Sequence, residues 1–246
     1  MEYYYMTDTG KVRDHNEDSV VITENMNKEI LLTVADGMGG HNAGEVASSI
    51  AITNIGKRFR ELSSVGNKED AINWLKETVN ETNVLINTYA IEHPESKGMG
   101  TTLVLALLTD DFLLFGNIGD SSGFVLKNGS LHKITTDHTL VNMLVKSGEI
   151  TEEEAKDHPR KNVLMKALGN ESSVEMDIFD VETDVDGIFL CSDGLTNMLE
   201  FDQIEKVLND DLTIEEKVIK LIYKCNNRGG TDNISVAYLE KSGVKW

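Results

Sequence analysis

Four aspartates in this chain stand beside or close to glycine, where the backbone must turn. Asp36 opens Asp36-Gly37-Met38-Gly39-Gly40, Asp120 lies in Gly119-Asp120-Ser121, Asp193 in Ser192-Asp193-Gly194, and Asp232 follows Gly229-Gly230-Thr231. Asp-Gly is a common turn pairing, so one such aspartate says nothing. Four of them, each at the end of a predicted strand, suit a site where backbone comes close to a bound ion. Carboxylates drawn together repel by roughly 4 kcal/mol per pair at 4 Å in an effective dielectric near 20, so the group needs a counter-charge. Divalent cations supply it. The donors are all oxygen and the six histidines are scattered, which favours hard ions such as Mg²⁺ or Mn²⁺ over zinc.

The elements that would carry these residues can be read from short apolar runs bounded by Gly, Asp or Asn. Strands are expected at Ile30–Ala35, Thr102–Leu108, Phe112–Ile118, Phe124–Leu126, Ile188–Cys191 and Ile234–Leu239. Asp110-Asp111 and Asn128-Gly129 read as two-residue turns, the second suited to the positive backbone angles of a type I′ hairpin. Helical periodicity spans about Gly44–Leu62, Lys68–Ile91, Leu140–Ser147 and Ile214–Cys225. Successive strands without intervening helices cannot make a mainly parallel sheet, so an α+β layered sandwich is expected.

The 246 residues, 40% of them apolar, are enough for one domain with a sizeable core. With two prolines, and no repeat or low-complexity tract, a single domain over 1–246 is the simpler reading. No stretch approaches the roughly 20 apolar residues of a membrane span, and the polar N-terminus is unlike a signal peptide. Cys191 and Cys225 suit a reducing compartment as buried, inert thiols, and a cytoplasmic location is expected. The net charge of −19 repels nucleic acid and anionic membrane surfaces.

Six segments, taken in order, resemble the motif set of the metal-dependent Ser/Thr protein phosphatases of type 2C. They are Arg13-Asp14-His15-Asn16-Glu17-Asp18, Asp36-Gly37-Met38-Gly39-Gly40-His41, Gly98-Met99-Gly100-Thr101-Thr102, Gly119-Asp120-Ser121, Ser192-Asp193-Gly194-Leu195 and Asp232-Asn233-Ile234-Ser235. The likeness runs over nearly the whole chain, and the Gly-Met-Gly-Gly-His version with the compact length is similar to bacterial members that oppose Ser/Thr kinases. It implies two central antiparallel β-sheets between helix pairs, and hydrolysis of phosphoserine and phosphothreonine on proteins.

The resemblance also implies roles. Asp36 would bridge two ions, the Gly37 carbonyl would join one of them, and Asp193 and Asp232 would hold the other. A hydroxide generated between the ions would attack phosphorus directly. Asp120 would hold a third ion together with Asp193. Arg13 would bind the phosphoryl oxygens, and Glu17 and Asp18 would accept hydrogen bonds from metal-bound waters. The segment from His138 to Gly169 would form a flap beside the site, with Thr151–Asp157 equally readable as a plain solvated helix. Partners would be phosphoproteins and a Ser/Thr kinase, and the chain is expected to be a monomer.

Two departures stand out. Ser122 replaces the arginine that commonly follows Gly-Asp-Ser, and Met38 replaces a histidine that some members carry after the first Asp-Gly. The leaving-group acid is thus left between His41 and a metal-bound water.

Rival readings fit less well. A dinucleotide loop after Gly37-x-Gly39 lacks its third glycine at Asn42. Asp184-Val185-Asp186-Gly187 precedes its apolar strand where a haloacid-dehalogenase motif follows one, and a cysteine phosphatase would need arginine at Asn197 or Thr231. An EF-hand loop is not found. A catalytically inactive phosphoprotein-binding module of the same fold predicts missing metal ligands, and none is missing.

Overall fold

The fold is that of a computed structural model, and it describes residues 1–40, 43–170 and 172–241. The chain order is β1 (Glu2–Asp8), β2 (Asp18–Glu24), β3 (Ile30–Met38), α1 (Ala43–Glu61), α2 (Lys68–Glu92), β4 (Gly100–Thr101), β5 (Leu103–Leu108), β6 (Leu113–Ile118), β7 (Ser122–Lys127) and β8 (Ser130–Lys133). It continues with α3 (Leu140–Ser147), α4 (Glu152–Lys156), β9 (Asp177–Val181), β10 (Gly187–Cys191), α5 (Asp193–Thr196), α6 (Phe201–Leu208), α7 (Ile214–Asn227) and β11 (Ile234–Glu240).

One sheet has the order β1-β11-β10-β7-β8, the other β2-β3-β5-β6-β9, with β4 paired to the end of β3. All pairings are antiparallel. The period-2 alternation of a strand sorts its side chains between two layers. In β3, Leu31 and Ala35 join the core beneath α1 and α2, while Leu32 and Val34 face the other sheet. In β10, Phe189 and Cys191 pack under α5 to α7, while Ile188 and Leu190 fill the space between the sheets. Strands buried on both faces read as continuous apolar runs. The expected α-β-β-α sandwich is what forms.

Besides the two-residue β4, the strands that the apolar runs do not mark are β1, β2, β8 and β9, and each of these four is an edge strand. Edges keep polar residues because one face or margin meets water. Both expected hairpin turns are present, with Asn128 at φ 53° and Gly129 at φ 77° between β7 and β8. The placement of Asp36 at a strand end needs correction. Gly100-Thr101 pairs with Gly37-Met38 and prolongs β3, so Asp36 sits inside the strand. The expected flap segment follows β8 at the edge of the first sheet, carries α3 and α4, and returns by bridges of Leu164 with Thr139 and Leu168 with Thr101.

The hairpin that leads into β3 is pinned by Glu29. Its carboxylate accepts from Ser64 Oγ at 2.6 Å and from the Val65 N–H at 2.8 Å, and it also receives the Asn25 and Asn27 amides. Burial would raise its pKa, but these donors outweigh burial and hold it below the usual glutamate value. Glu29→Ala should therefore lower unfolding stability by about 2–3 kcal/mol, measured by urea denaturation at neutral pH. Because the folded pKa is depressed, the wild-type advantage should be full above the ordinary glutamate pKa and disappear as pH falls through the lower folded value. An advantage independent of pH would contradict this.

Candidate active site

At one end of the sandwich the two sheets bring the acidic motifs into a cleft of about 420 Å³ whose lining includes Arg13, Glu17, Asp36, Asp120, Asp193 and Asp232. Antiparallel register sets Asp18 of β2 opposite Asp36 of β3. Asp120 lies two residues past β6 and Asp193 opens α5 after β10. Asp232 stands two residues before β11. Residues separated by almost 200 positions thus meet because β2-β3, β6, β10 and β11 all end at the same place.

Glycines allow this approach. A Cβ on Gly37 would lie 2.1 Å from the Gly44 carbonyl oxygen and 2.6 Å from that of Glu17. One on Gly194 would lie 1.9 Å from the Asn233 carbonyl oxygen, so Asp193 and Asp232 come together only because residue 194 has no side chain. Asn233, to which sequence reasoning gave no role, locks this joint. Its Oδ1 accepts from the Glu17 N–H at 2.9 Å, and its Nδ2 donates to the Thr9 and His15 carbonyls, each at 2.9 Å. Ser192 donates to Asp18 Oδ2 at 2.7 Å, and Thr102 Oγ1 accepts from the Asp36 N–H at 2.9 Å. All three residues lay in the recognised motifs, but their partners are distant in sequence.

The electrostatics are those of an unrelieved acidic cluster. Burial, then the charges of Asp18, Asp193, Asp120 and Asp232, push the Asp36 carboxyl well above the usual range. Burial pushes Asp18 up to about 7 against the hydrogen bond from Ser192, and burial with the Asp193 charge pushes Asp120 up to about 7. Asp193 is raised by burial and by Asp232, and Glu17 is raised by burial. Glu17 Oε1, Asp18 Oδ1 and Asp193 Oδ1 are buried without a hydrogen-bond partner. Orphaned carboxylate oxygens are costly unless a cation or water reaches them.

Among the described residues no three of these side chains close on one point as an ion's ligands would. Asp232 is already engaged: Arg13 Nη2 lies 2.8 Å from its Oδ1 and 2.9 Å from its Oδ2. The all-oxygen donors, the orphaned oxygens on Glu17 and Asp193 of the cleft lining and the glycine-permitted backbone approach nonetheless fit divalent cations of the Mg²⁺ or Mn²⁺ kind. Of the expected site residues, Arg13, Glu17, Asp36, Gly37, Asp120, Asp193 and Asp232 line the cleft directly. Asp18 is buried behind it, and His41 lies outside the described residues. Ser122 starts β7, buried opposite Cys191, where an uncharged side chain fits the sheet interior. Cys191 and Cys225 are buried free thiols whose pKa burial raises, to about 12 for Cys225.

A layered α-β-β-α fold that ends in such an acidic cleft agrees with comparison to known proteins. The family model described as protein phosphatase 2C matches residues 10–224, and this chain belongs to that family. The serine/threonine phosphatase stp of Listeria innocua is 42% identical over 98% of this chain and 96% of its own length. The crystal structure of serine/threonine phosphatase Stp1 from Staphylococcus aureus is 37% identical, superposes with a TM-score of 0.92, and covers 98% of this chain and 95% of that one. The catalytic domain of the serine threonine protein phosphatase PstP, solved in complex with two manganese ions, is 33% identical with a TM-score of 0.82, and the match covers 97% of each chain.

The raised carboxyl groups make a prediction about the metal-free protein. A group whose folded pKa lies above its unfolded value contributes stability that is complete below the unfolded value and is lost as pH rises through the folded one. Without divalent metal the melting temperature should therefore fall as pH is raised from 6 to 8, through the values near 7 of Asp18 and Asp120. Asp36→Asn should raise the metal-free melting temperature by a few degrees. A metal-free melting temperature lower than wild type would argue against the clustered charge.

Proposed function

We propose that this chain hydrolyses phosphoserine and phosphothreonine on proteins at the acidic cleft, with divalent cations held by Asp36, the Gly37 carbonyl, Asp193 and Asp232. The observation that carries the reading is the convergence of these carboxylates, with orphaned oxygens, around a cleft in a protein of the 2C family. Asp120 and Asp193 offer the place for a third ion. Bound Mn²⁺ or Mg²⁺ would supply charge neutralisation and a water acidic enough to serve as hydroxide near neutral pH.

The chain's own residues do the rest. Glu17 Oε1 and Asp18 Oδ1, buried and without partners, are free to accept hydrogen bonds from waters of the site. Arg13, at the rim, is placed to donate to phosphoryl oxygens once the Asp232 carboxylate is engaged elsewhere, and its guanidinium matches the growing charge on them. Asn162 and Leu164 of the 138–169 segment line the same cleft and would face the residues beside the phosphorylated side chain. Protonation of the leaving oxygen falls to His41 or to water. A Ser/Thr kinase that phosphorylates the same proteins is the partner this activity would oppose. The two buried thiols support a reducing, cytoplasmic setting. No helix among the described residues is long and apolar enough to cross a membrane. We read the chain as a monomer built as one domain.

The test is phosphate release from a phosphothreonine peptide with Mn²⁺, with Mg²⁺ and with excess chelator. Wild type should turn over only with metal. Asp36→Asn and Asp193→Asn should each lose about 10²-fold or more in kcat while remaining folded, and Arg13→Ala should act mainly through KM. Peptide binding without turnover under either metal would favour the inactive binding module.

A further inference from the structure

One imidazole outside the acidic cluster joins parts of the molecule that the reaction would need to keep in register. His138 is the first residue of the 138–169 excursion, and its side chain is 9% exposed. Its backbone N–H donates to the Gly119 carbonyl at 2.9 Å, while its Nδ1 accepts from the Gly119 N–H at 3.1 Å. Both polar backbone atoms of the residue preceding Asp120 are thus held by this one residue. An Nδ1 that accepts leaves the ring proton on Nε2, and Nε2 lies 3.2 Å from Asp177 Oδ2, a close contact off the line of a hydrogen bond.

Asp177 is the first residue of edge strand β9, in register with Asn117 at the end of β6. Its other oxygen pairs with Lys166 on the returning arm of the excursion at 3.0 Å. That arm is also bonded to His138 itself, whose carbonyl accepts from the Met165 N–H at 2.7 Å. Asn117 Nδ2 completes the joint by donating to the Thr136 carbonyl at 2.8 Å and the Gly119 carbonyl at 3.2 Å. Gly119 itself cannot shift freely, since it has φ 100° and a Cβ there would lie 2.6 Å from Thr102 Cγ2. Both arms of the excursion, the edge strand and the Asp120 turn therefore meet at His138.

We propose that His138, held by Gly119 and in contact with Asp177, is a positioning residue that fixes the root of the 138–169 excursion to the Gly119-Asp120 turn, so that Asn162, Leu164 and Asp120 are set as one unit around the substrate. Its effect on turnover rests on the phosphatase reading; its effect on the excursion does not. An asparagine in its place keeps an acceptor near the position of Nδ1 but gives up the contact with Asp177, whereas alanine loses both.

The experiment compares full-length wild type, His138→Ala, His138→Asn and Asp177→Asn. It measures KM and kcat for a phosphothreonine peptide with Mn²⁺, the rate of tryptic cleavage at Arg160 and Lys161, and the melting temperature. His138→Ala should raise KM about tenfold with a smaller change in kcat, and cleavage should be about tenfold faster. His138→Asn should recover most of both effects, with Asp177→Asn between. Wild-type KM and cleavage in His138→Ala would overturn the proposal. So would a loss in His138→Asn as large as in alanine, since a merely structural imidazole predicts no rescue. If His138→Ala does not fold, the same two measurements on His138→Asn and Asp177→Asn decide: effects of both in the stated order support the anchor, and wild-type behaviour of both removes it. Absence of wild-type turnover would count against the phosphatase reading alone, because the cleavage measurement needs no catalysis.

Discussion

Mutual repulsion among carboxylates held at one end of a rigid sandwich is the constraint on which the site depends. Asp18, Asp36, Asp120 and Asp193 are partly or fully withdrawn from water and all have their protonation raised. A pair of such charges at 4 Å costs roughly 4 kcal/mol at an effective dielectric near 20. A flexible cluster would relax by spreading. Here it cannot, because Asp36 lies within a central strand and Asp18 is fixed opposite it by backbone pairing. The fold stores an electrostatic cost that divalent cations would relieve, and this ties metal affinity to the stiffness of the sheets.

That stiffness is built from the layers outward. Apolar residues on both faces of β3, β5, β6, β10 and β11 lock the sheets to each other and to the helices. At the functional end, close packing is backbone against backbone: Gly37 against Gly44, and Gly194 against Asn233. Even the alanine methyl is excluded at these contacts. The Arg13 and Asp232 pair is the softer part of the site. Both partners are substantially exposed, at 48% and 31%, so their pairing contributes little to stability, and in the function proposed it would give way to a cation on the carboxylate and a phosphoryl group on the guanidinium.

Much of this was legible in the residues. The central strands announced themselves as apolar runs because they are buried on both faces, and the Asp-Gly pairs pointed to carboxylates beside close backbone approaches. The edge strands β1, β2, β8 and β9 were silent because a half-exposed strand such as Glu2–Asp8 carries no continuous apolar signal. Helix α5, four residues long, is too short to show a helical period, and α6 was not read although it is as long as α3. Asn233, Ser192 and His138 could not be given partners from sequence, since their contacts lie in other strands and turns, and His138 shows no more than a lone histidine in a polar stretch. The position of Asp36 was misjudged by two residues because a two-residue strand, β4, lengthens β3 by long-range pairing.

Whether the cleft holds divalent metal on these carboxylates is decided by a crystal structure of the wild-type chain grown with Mn²⁺, with anomalous data collected at the manganese edge. Anomalous peaks are expected in the cleft within ligating distance of Asp36, Asp193 and Asp232, with the Gly37 carbonyl among the donors and Arg13 withdrawn from Asp232. An ion-free cleft at millimolar Mn²⁺, with Arg13 still paired to Asp232, would contradict this.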